Sequence, residues 1–110
     1  MQKINFIGEQ DGPPERELKA ELTVLFAKLR LVTTAYLARI TYGDAGTVQV
    51  ALCVRAQPGQ NRMFAERVGR IFGAMFGSHE HLDIIWLTPE QEPALTKVCR
   101  PFYQLDTSAV

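Results

Sequence analysis

The sequence predicts an α+β domain, a two-layer, ferredoxin-like sandwich with the element order β-α-β-β-α-β and a short C-terminal helix. Its sheet is expected to have four strands and to be mainly antiparallel. Three observations predict this class. Two segments place apolar residues at helical spacing, two β-branched and aromatic segments flank a four-residue turn, and a short apolar segment lies near each end of the chain.

Two amphipathic helices account for the helical layer. The first is predicted over Pro14–Leu29, because proline is tolerated in the first helical turn and the apolar residues that follow share one face. That face consists of Leu18, Leu22, Leu25, Phe26 and Leu29. The second is expected to start at Asn61, a plausible N-cap residue, and to end at Gly77. Its apolar face consists of Phe64, Val68, Ile71, Phe72 and Met75.

Four segments have the composition of strands, namely Lys3–Ile7, Thr33–Tyr42, Thr47–Val54 and Leu82–Leu87. The second and third are separated by the turn residues 43–46, which predicts a β-hairpin. Alternation in the hairpin does not decide which of its faces is buried, so both assignments stay open at this point.

The segment after the last strand predicts a capped, short helix. Thr88 and Gln91 have the spacing of a capping box. Pro93 would remove a helical hydrogen bond, so the helix is expected to reach only about two turns, to Cys99. Pro101 ends it, because the residue before a proline disfavours the helical region.

Composition restricts the class of protein. We expect one domain over residues 1–110, with a frayed tail at 105–110, since this length is common for a single domain. Twelve Lys and Arg balance twelve Asp and Glu, which makes a nucleic-acid partner unlikely. No signal peptide is expected, and the longest apolar stretch, Met63–Gly77, is interrupted by charges. With two cysteines far apart, these features predict a cytoplasmic protein outside the membrane.

Charge is distributed unevenly along the chain. Residues 39–70 carry five arginines against two acids, and residues 80–92 carry four acids and no Lys or Arg. On the second helix, Gly69 and Gly73 lie on the outer side near Arg62 and Arg70. Close packing against a partner helix or a second copy would explain these glycines. Solvated charged faces and tolerated surface glycines are the alternative.

The sheet offers a second candidate surface. Tyr36, Arg39 and Gln49 could bind a small ligand. Tyr36, Tyr42 and Arg39 could stack on bases, although the third strand has no aromatic residue and net charge is zero. Phe102 and Tyr103 are expected to pin the C-terminal segment onto the domain; if they are exposed instead, they would form a contact surface.

Little in the sequence suggests catalysis. Cys99 beside Arg100 could have a lowered pKa and act as a thiolate nucleophile or persulfide carrier, or it could be a small residue packed near a helix end. Cys53 has an alternating strand position and is interpreted as structural. Residues 78–81 (SHEH) are interpreted as an exposed loop, because a structural zinc ion requires four ligands. We therefore expect no catalytic residues, no metal and no cofactor.

Three short motifs resemble the C-terminal domain of the bacterial enhanced serine sensitivity (SseB) family. They are Gly8-Glu9 before the proline-started helix, Ala35-Tyr36-Leu37 in the second strand and Pro101-Phe102-Tyr103 near the end. The resemblance spans about residues 7–104, with Arg100 where lysine is expected. It implies a cytoplasmic protein that acts through protein contacts and has no established catalytic residues. Typical members also carry a separate N-terminal domain.

The leading hypothesis is a non-enzymatic, self-associating protein-interaction domain. The alternatives are a sulfur-transfer accessory or small enzyme that uses Cys99, and a ligand-binding sheet domain. The candidate interaction residues are Tyr36, Arg39, Gln49, Arg62, Gly69, Arg70, Gly73, Phe102 and Tyr103.

Overall fold

A computed structural model describes residues 3–43, 46–56, 61–77 and 82–105. Their helices and strands follow the predicted order, with one additional strand after the third helix. The elements are β1 Ile4–Glu9, α1 Pro13–Leu29, β2 Val32–Tyr42, β3 Gln49–Ala56, α2 Asn61–Phe76, β4 Asp83–Trp86, α3 Glu92–Thr96 and β5 Tyr103–Gln104. None of the described helices is long and apolar enough to cross a membrane. The predicted tail beyond residue 105 and the interpretation of residues 78–81 fall outside the described residues.

The α+β class is confirmed, but the sheet differs from the predicted ferredoxin-like arrangement. It is mixed and five-stranded, with the order β1-β2-β3-β4 and with β5 also paired to β2. The β1/β2, β2/β3 and β2/β5 pairs are antiparallel, whereas β3 and β4 are parallel. The hairpin was predicted correctly. The order of elements along the chain does not decide which side of that hairpin each flanking strand joins, and here β1 joins the β2 side.

Strand β2 is the longest strand, and two short strands share one of its edges end to end. Residues 38–42 of β2 pair with β1, and residues 34–35 pair with β5. Between them, the Gln10 N–H donates to the Leu37 carbonyl over 3.0 Å and the Phe102 N–H donates to the Ala35 carbonyl over 2.9 Å. The β2 edge is thereby paired along most of its length.

Both faces of the sheet are buried, which answers the question that alternation left open. On one face, α1 and α2 pack against the sheet. The buried residues of this cluster are Leu18, Leu22, Leu25, Phe26, Val32, Ala35, Leu37, Leu52, Val54, Phe64, Val68 and Tyr103. On the opposite face, α3 and the residues after it cover the other side of the hairpin. That second cluster consists of Tyr36, Ala38, Ile40, Ala51, Cys53, Ile85, Leu95 and Cys99.

Local signals explain where the helices begin and end. The Thr88 N–H donates to Gln91 Oε1 over 3.0 Å, and the Gln91 N–H donates to Thr88 Oγ1 over 3.3 Å. The two reciprocal hydrogen bonds of the predicted capping box are therefore present, in the turn that directly precedes α3. Helix α3 is shorter than predicted and ends at Thr96. Gly77 ends α2 as predicted, with a φ of 88° that glycine adopts without strain. The side chain of Asn61, the expected N-cap, is outside the described part of the chain.

Candidate functional site

A polar cluster, Tyr36–Glu92–Arg55, is formed by one residue each from β2, α3 and β3. The Tyr36 hydroxyl donates to Glu92 Oε2 over 2.8 Å, and Arg55 Nε donates to Glu92 Oε1 over 2.8 Å. A second guanidinium nitrogen of Arg55 also contacts Glu92 Oε1. The cluster therefore ties α3 to two strands of the sheet.

Burial differs strongly among the three side chains of this cluster. Tyr36 is 2% exposed, the Glu92 side chain 13% and the Arg55 side chain 58%. Burial acts to raise the pKa of Glu92, but the hydrogen bonds from Arg55 and Tyr36 outweigh it and the pKa lies below its usual range. Burial and the Glu92 carboxylate raise the pKa of Tyr36. At neutral pH the cluster consists of a neutral phenol, a carboxylate and a guanidinium.

A groove of about 670 Å³ opens beside this cluster. Arg55 and Glu92 form one side of it. The remaining lining comes from the segment that follows β4, namely Leu87, Thr88 and Pro89, and from Pro93 and Thr96 of α3. The groove is thus mainly apolar and contains one partly exposed guanidinium, that of Arg55.

The predicted sheet surface of Tyr36, Arg39 and Gln49 is not one surface. Tyr36 is covered by the α3 region, as described above. Arg39 is exposed on the opposite face, where its guanidinium lies so close to Gly8 that an added Cβ would be 2.8 Å from Nη2. Gln49 lies opposite Ile40, on the Tyr36 side. Side-chain alternation accounts for this, since positions 36 and 39 differ by an odd number.

A second tyrosine crosses the same face as Tyr36. The Tyr42 hydroxyl donates to Asp83 Oδ2 over 2.7 Å, and burial raises the pKa of Tyr42 to about 12. Neither tyrosine hydroxyl points away from the domain. Tyr36 and Tyr42 are therefore not a pair of free rings on which bases could stack.

The predicted residues of α2 do share one exposed face. A Cβ atom added to Gly69 or Gly73 would meet no atom within 4 Å apart from the nearby backbone of α2 itself. Arg62 and Arg70 are exposed beside them, and Arg62 Nε forms an ion pair with Glu66 Oε1 at 3.4 Å. This face could accept a second helix without steric conflict.

The aromatic residues near the C-terminal end are part of the fold, as predicted for a segment pinned onto the domain. Tyr103 is buried with an edge-on ring contact to Phe26 at 5.5 Å. Phe102 is half-buried, with its ring 6.2 Å from that of Phe26. Tyr103 is therefore not accessible as a contact surface, and Phe102 only in part.

Both cysteines are buried free thiols. Cys99 is 4% exposed, and burial, with the nearby Glu9 carboxylate, raises its pKa to about 11. Burial likewise raises the pKa of Cys53 to about 12. A thiolate nucleophile needs the opposite shift, so the geometry around Cys99 favours a packing role. Among the described residues, no group of three or more His, Cys, Asp or Glu side chains could hold a metal ion; His79 and His81 are outside that set.

Sequence reasoning missed Arg55 and Glu92 as a pair. A weak signal exists for each, since Arg55 interrupts an alternating apolar strand and Glu92 belongs to the acidic segment 80–92. Nothing in the sequence joins them, because the partners are separated by 37 positions.

The three motifs of the resemblance meet at one place in the structure. Glu9 Oε2 pairs with Lys19 Nζ at 3.0 Å, and its other carboxylate oxygen accepts the Arg100 N–H over 3.4 Å. Ala35 and Phe102 are joined by the backbone bond described above. These motifs close the edge of β2 and are structural.

Comparison with known proteins agrees with this resemblance. The family model described as SseB protein C-terminal domain matches residues 6–104. No curated protein and no solved structure matches the chain. The match covers almost the entire sequence, and the chain therefore belongs to the SseB family as a domain of its C-terminal type.

Proposed function

We propose that this chain is a non-catalytic protein-interaction domain that self-associates through the outer face of its helical layer. We define this face by two sets of exposed residues, one on each helix. They are Glu17, Ala20, Glu21, Val24 and Ala27 of α1, and Arg67, Gly69, Arg70 and Gly73 of α2.

The observation that carries the proposal is Val24. It is 55% exposed, the highest fraction among the exposed large apolar side chains of the described structure. Its neighbours on the outer face of α1, Ala20 and Ala27, are small and exposed. Beneath this surface Phe26 of α1 stacks on Phe64 of α2 at 5.4 Å, so the two outer helix faces lie side by side. Small side chains around a protruding apolar one allow a second helix pair to approach closely.

Charge favours a second copy as the occupant. Glu17 and Glu21 on α1, and Arg67 and Arg70 on α2, make no ion pair with other described residues. In a two-fold arrangement, α1 of each copy faces α2 of the other copy. The two acidic residues of each copy then lie opposite the two arginines of the other, so the same contact forms twice. The same surface is then complementary to itself, which fits a net charge of zero.

Sedimentation equilibrium over a range of micromolar concentrations tests the proposal. Glu21→Arg and Arg70→Glu should each weaken the dimer about fivefold, corresponding to about 0.5 kcal/mol for each of the two symmetry-related exposed charge pairs, and the double variant should recover affinity. Val24→Glu should abolish association, because it places a charge at the apolar centre of the contact. Lys97→Glu, an exposed charge reversal directly after α3, is the matched control.

A monomer at all concentrations would overturn the proposal. So would a dimer that is equally sensitive to Lys97→Glu and to the changes at Glu21 and Arg70.

A further inference from the structure

The groove beside the Tyr36–Glu92–Arg55 cluster lies where the two parallel strands of the sheet end. Arg55 is the penultimate residue of β3, and Leu87 and Thr88 directly follow β4. The Leu87 N–H donates to the Val54 carbonyl over 2.8 Å, so these two strand ends are held at the same level.

The chain leaves these two strand ends toward opposite faces of the sheet. After β3 it continues to α2, whose Phe64 and Val68 belong to the first core cluster. After β4 it continues to α3, whose Leu95 belongs to the second cluster, on the other face. Divergence of this kind opens a crevice at the carboxyl ends of parallel strands, which is where open sheets bind ligands. The groove is therefore a consequence of the topology.

The polar groups in the groove are biased toward donors. A guanidinium has five N–H donors, and the contacts of Arg55 with Glu92 use two of its nitrogens. Both oxygens of Glu92 already accept hydrogen bonds, from Arg55 and Tyr36. The Thr88 hydroxyl accepts the Gln91 N–H and keeps its own proton to donate. A ligand in the groove therefore meets free hydrogen-bond donors at Arg55 and Thr88. The Glu92 carboxylate, in contrast, already accepts hydrogen bonds at both of its oxygens.

Arg55 is also oriented before any ligand arrives. Glu92 holds it, and the buried Tyr36 hydroxyl holds Glu92 in turn, so the guanidinium plane is fixed while 58% of the side chain stays exposed. A planar, pre-oriented guanidinium matches the two oxygens of a carboxylate. The walls formed by Leu87, Pro89 and Pro93 suit an apolar body.

From these observations we infer that the groove binds a small organic monocarboxylate with an apolar body, its carboxylate paired with Arg55. A ligand with a single negative charge fits better than a phosphate dianion. The groove lining contains one arginine, and a second negative charge would lie near the acidic residue Glu92, which Glu90 precedes by two positions. A volume of about 670 Å³ is within the usual range of small-molecule sites.

Nuclear magnetic resonance titration of the full chain tests this inference with benzoate as the probe. Benzamide, which has the same shape without the charge, and inorganic phosphate are the two comparison probes. Benzoate should shift the Arg55 Nε–H signal and the amides of Leu87, Thr88 and Thr96 in a saturable manner, and benzamide should not.

Three variants locate the binding site. Arg55→Gln should weaken benzoate binding about tenfold or more, because it removes the charged hydrogen bonds to the ligand. Thr96→Trp should prevent binding by filling the groove, while Arg55 and Glu92 stay in place. Arg16→Gln, the same change at an exposed arginine of α1, should bind benzoate like the unaltered chain. Each variant is first compared with the unaltered chain by its amide spectrum, and the Thr96→Trp result stands if Arg55→Gln is not folded.

Several results would overturn the inference. Equal shifts with benzamide would show that the carboxylate is not recognised, and saturable binding of phosphate without benzoate would show the wrong ligand class. Saturable shifts that survive both Arg55→Gln and Thr96→Trp would place the site elsewhere.

Discussion

Removing the Tyr36 hydroxyl should destabilise the domain by about 1.5–2 kcal/mol. The hydroxyl of this 2% exposed residue donates to Glu92 Oε2 over 2.8 Å, and Glu92 itself is only 13% exposed. A hydrogen bond to a charged group contributes roughly 1.5–3 kcal/mol, and we take the lower part of this range because Arg55 still pairs with Glu92 in Tyr36→Phe. For a domain of this size the melting temperature should fall by about 6–8 °C.

Chemical denaturation and thermal unfolding of Tyr36→Phe measure this difference. Tyr103→Phe is the matched control, because Tyr103 is similarly buried but its hydroxyl makes no hydrogen bond with the other described residues. We expect it to differ from the unaltered chain by less than about 0.5 kcal/mol.

The same variant makes a prediction about pH. The pKa of Glu92 is lower in the folded chain than in the unfolded chain. This stabilisation is therefore complete above the unfolded pKa and is lost as the pH falls through the folded pKa. Without the Tyr36 hydroxyl the folded pKa rises toward its usual range, so Tyr36→Phe should lose less stability than the unaltered chain between pH 7 and about pH 3. If the unaltered chain and Tyr36→Phe lose the same free energy on acidification, or if Tyr36→Phe and Tyr103→Phe are equally stable at pH 7, the Tyr36–Glu92 hydrogen bond does not stabilise the domain.

Two further predictions concern the C-terminal segment. Tyr103→Ala should cost about 3 kcal/mol, as for a buried aromatic residue, and the half-buried Phe102→Ala about half of that; equilibrium unfolding that gave Phe102 the larger loss would contradict the burial described here. Cys99 should react with iodoacetamide only as fast as the domain opens, because its thiol is buried and its pKa is raised to about 11. Mass spectrometry showing rapid native alkylation at pH 7 would instead favour the reactive thiolate.

Much of the local structure could be predicted from the sequence. The helix over Pro13–Leu29 begins one residue before the predicted start and ends where predicted, because five apolar residues repeat on one face. The capping box of Thr88 and Gln91 was predicted from two residues, since both of its hydrogen bonds are local. Signals of this kind depend on neighbours within a few positions along the chain.

The sheet order and the polar cluster could not be predicted in this way. Backbone hydrogen bonds join strands, and these bonds are the same for every non-proline residue, so the sequence does not mark which edge β1 chooses. Strand β5 has two residues, too few for any alternation to be visible. Tyr36 and Glu92 are 56 positions apart, and their contact arises only when α3 folds over the sheet.

Because the chain is synthesised from its N-terminus, the two strands that share one edge of β2 become available at different times. Strands β1 to β3 are complete by residue 56, but the segment that covers β2 at Thr34–Ala35 follows only at residues 103–104. During translation this part of the β2 edge keeps its backbone groups unpaired until the chain has grown by nearly half its length. An unpaired edge is a template for strand addition by another nascent chain. The last strand, though only two residues long, thus pairs a part of the β2 edge that would otherwise stay open in the finished domain.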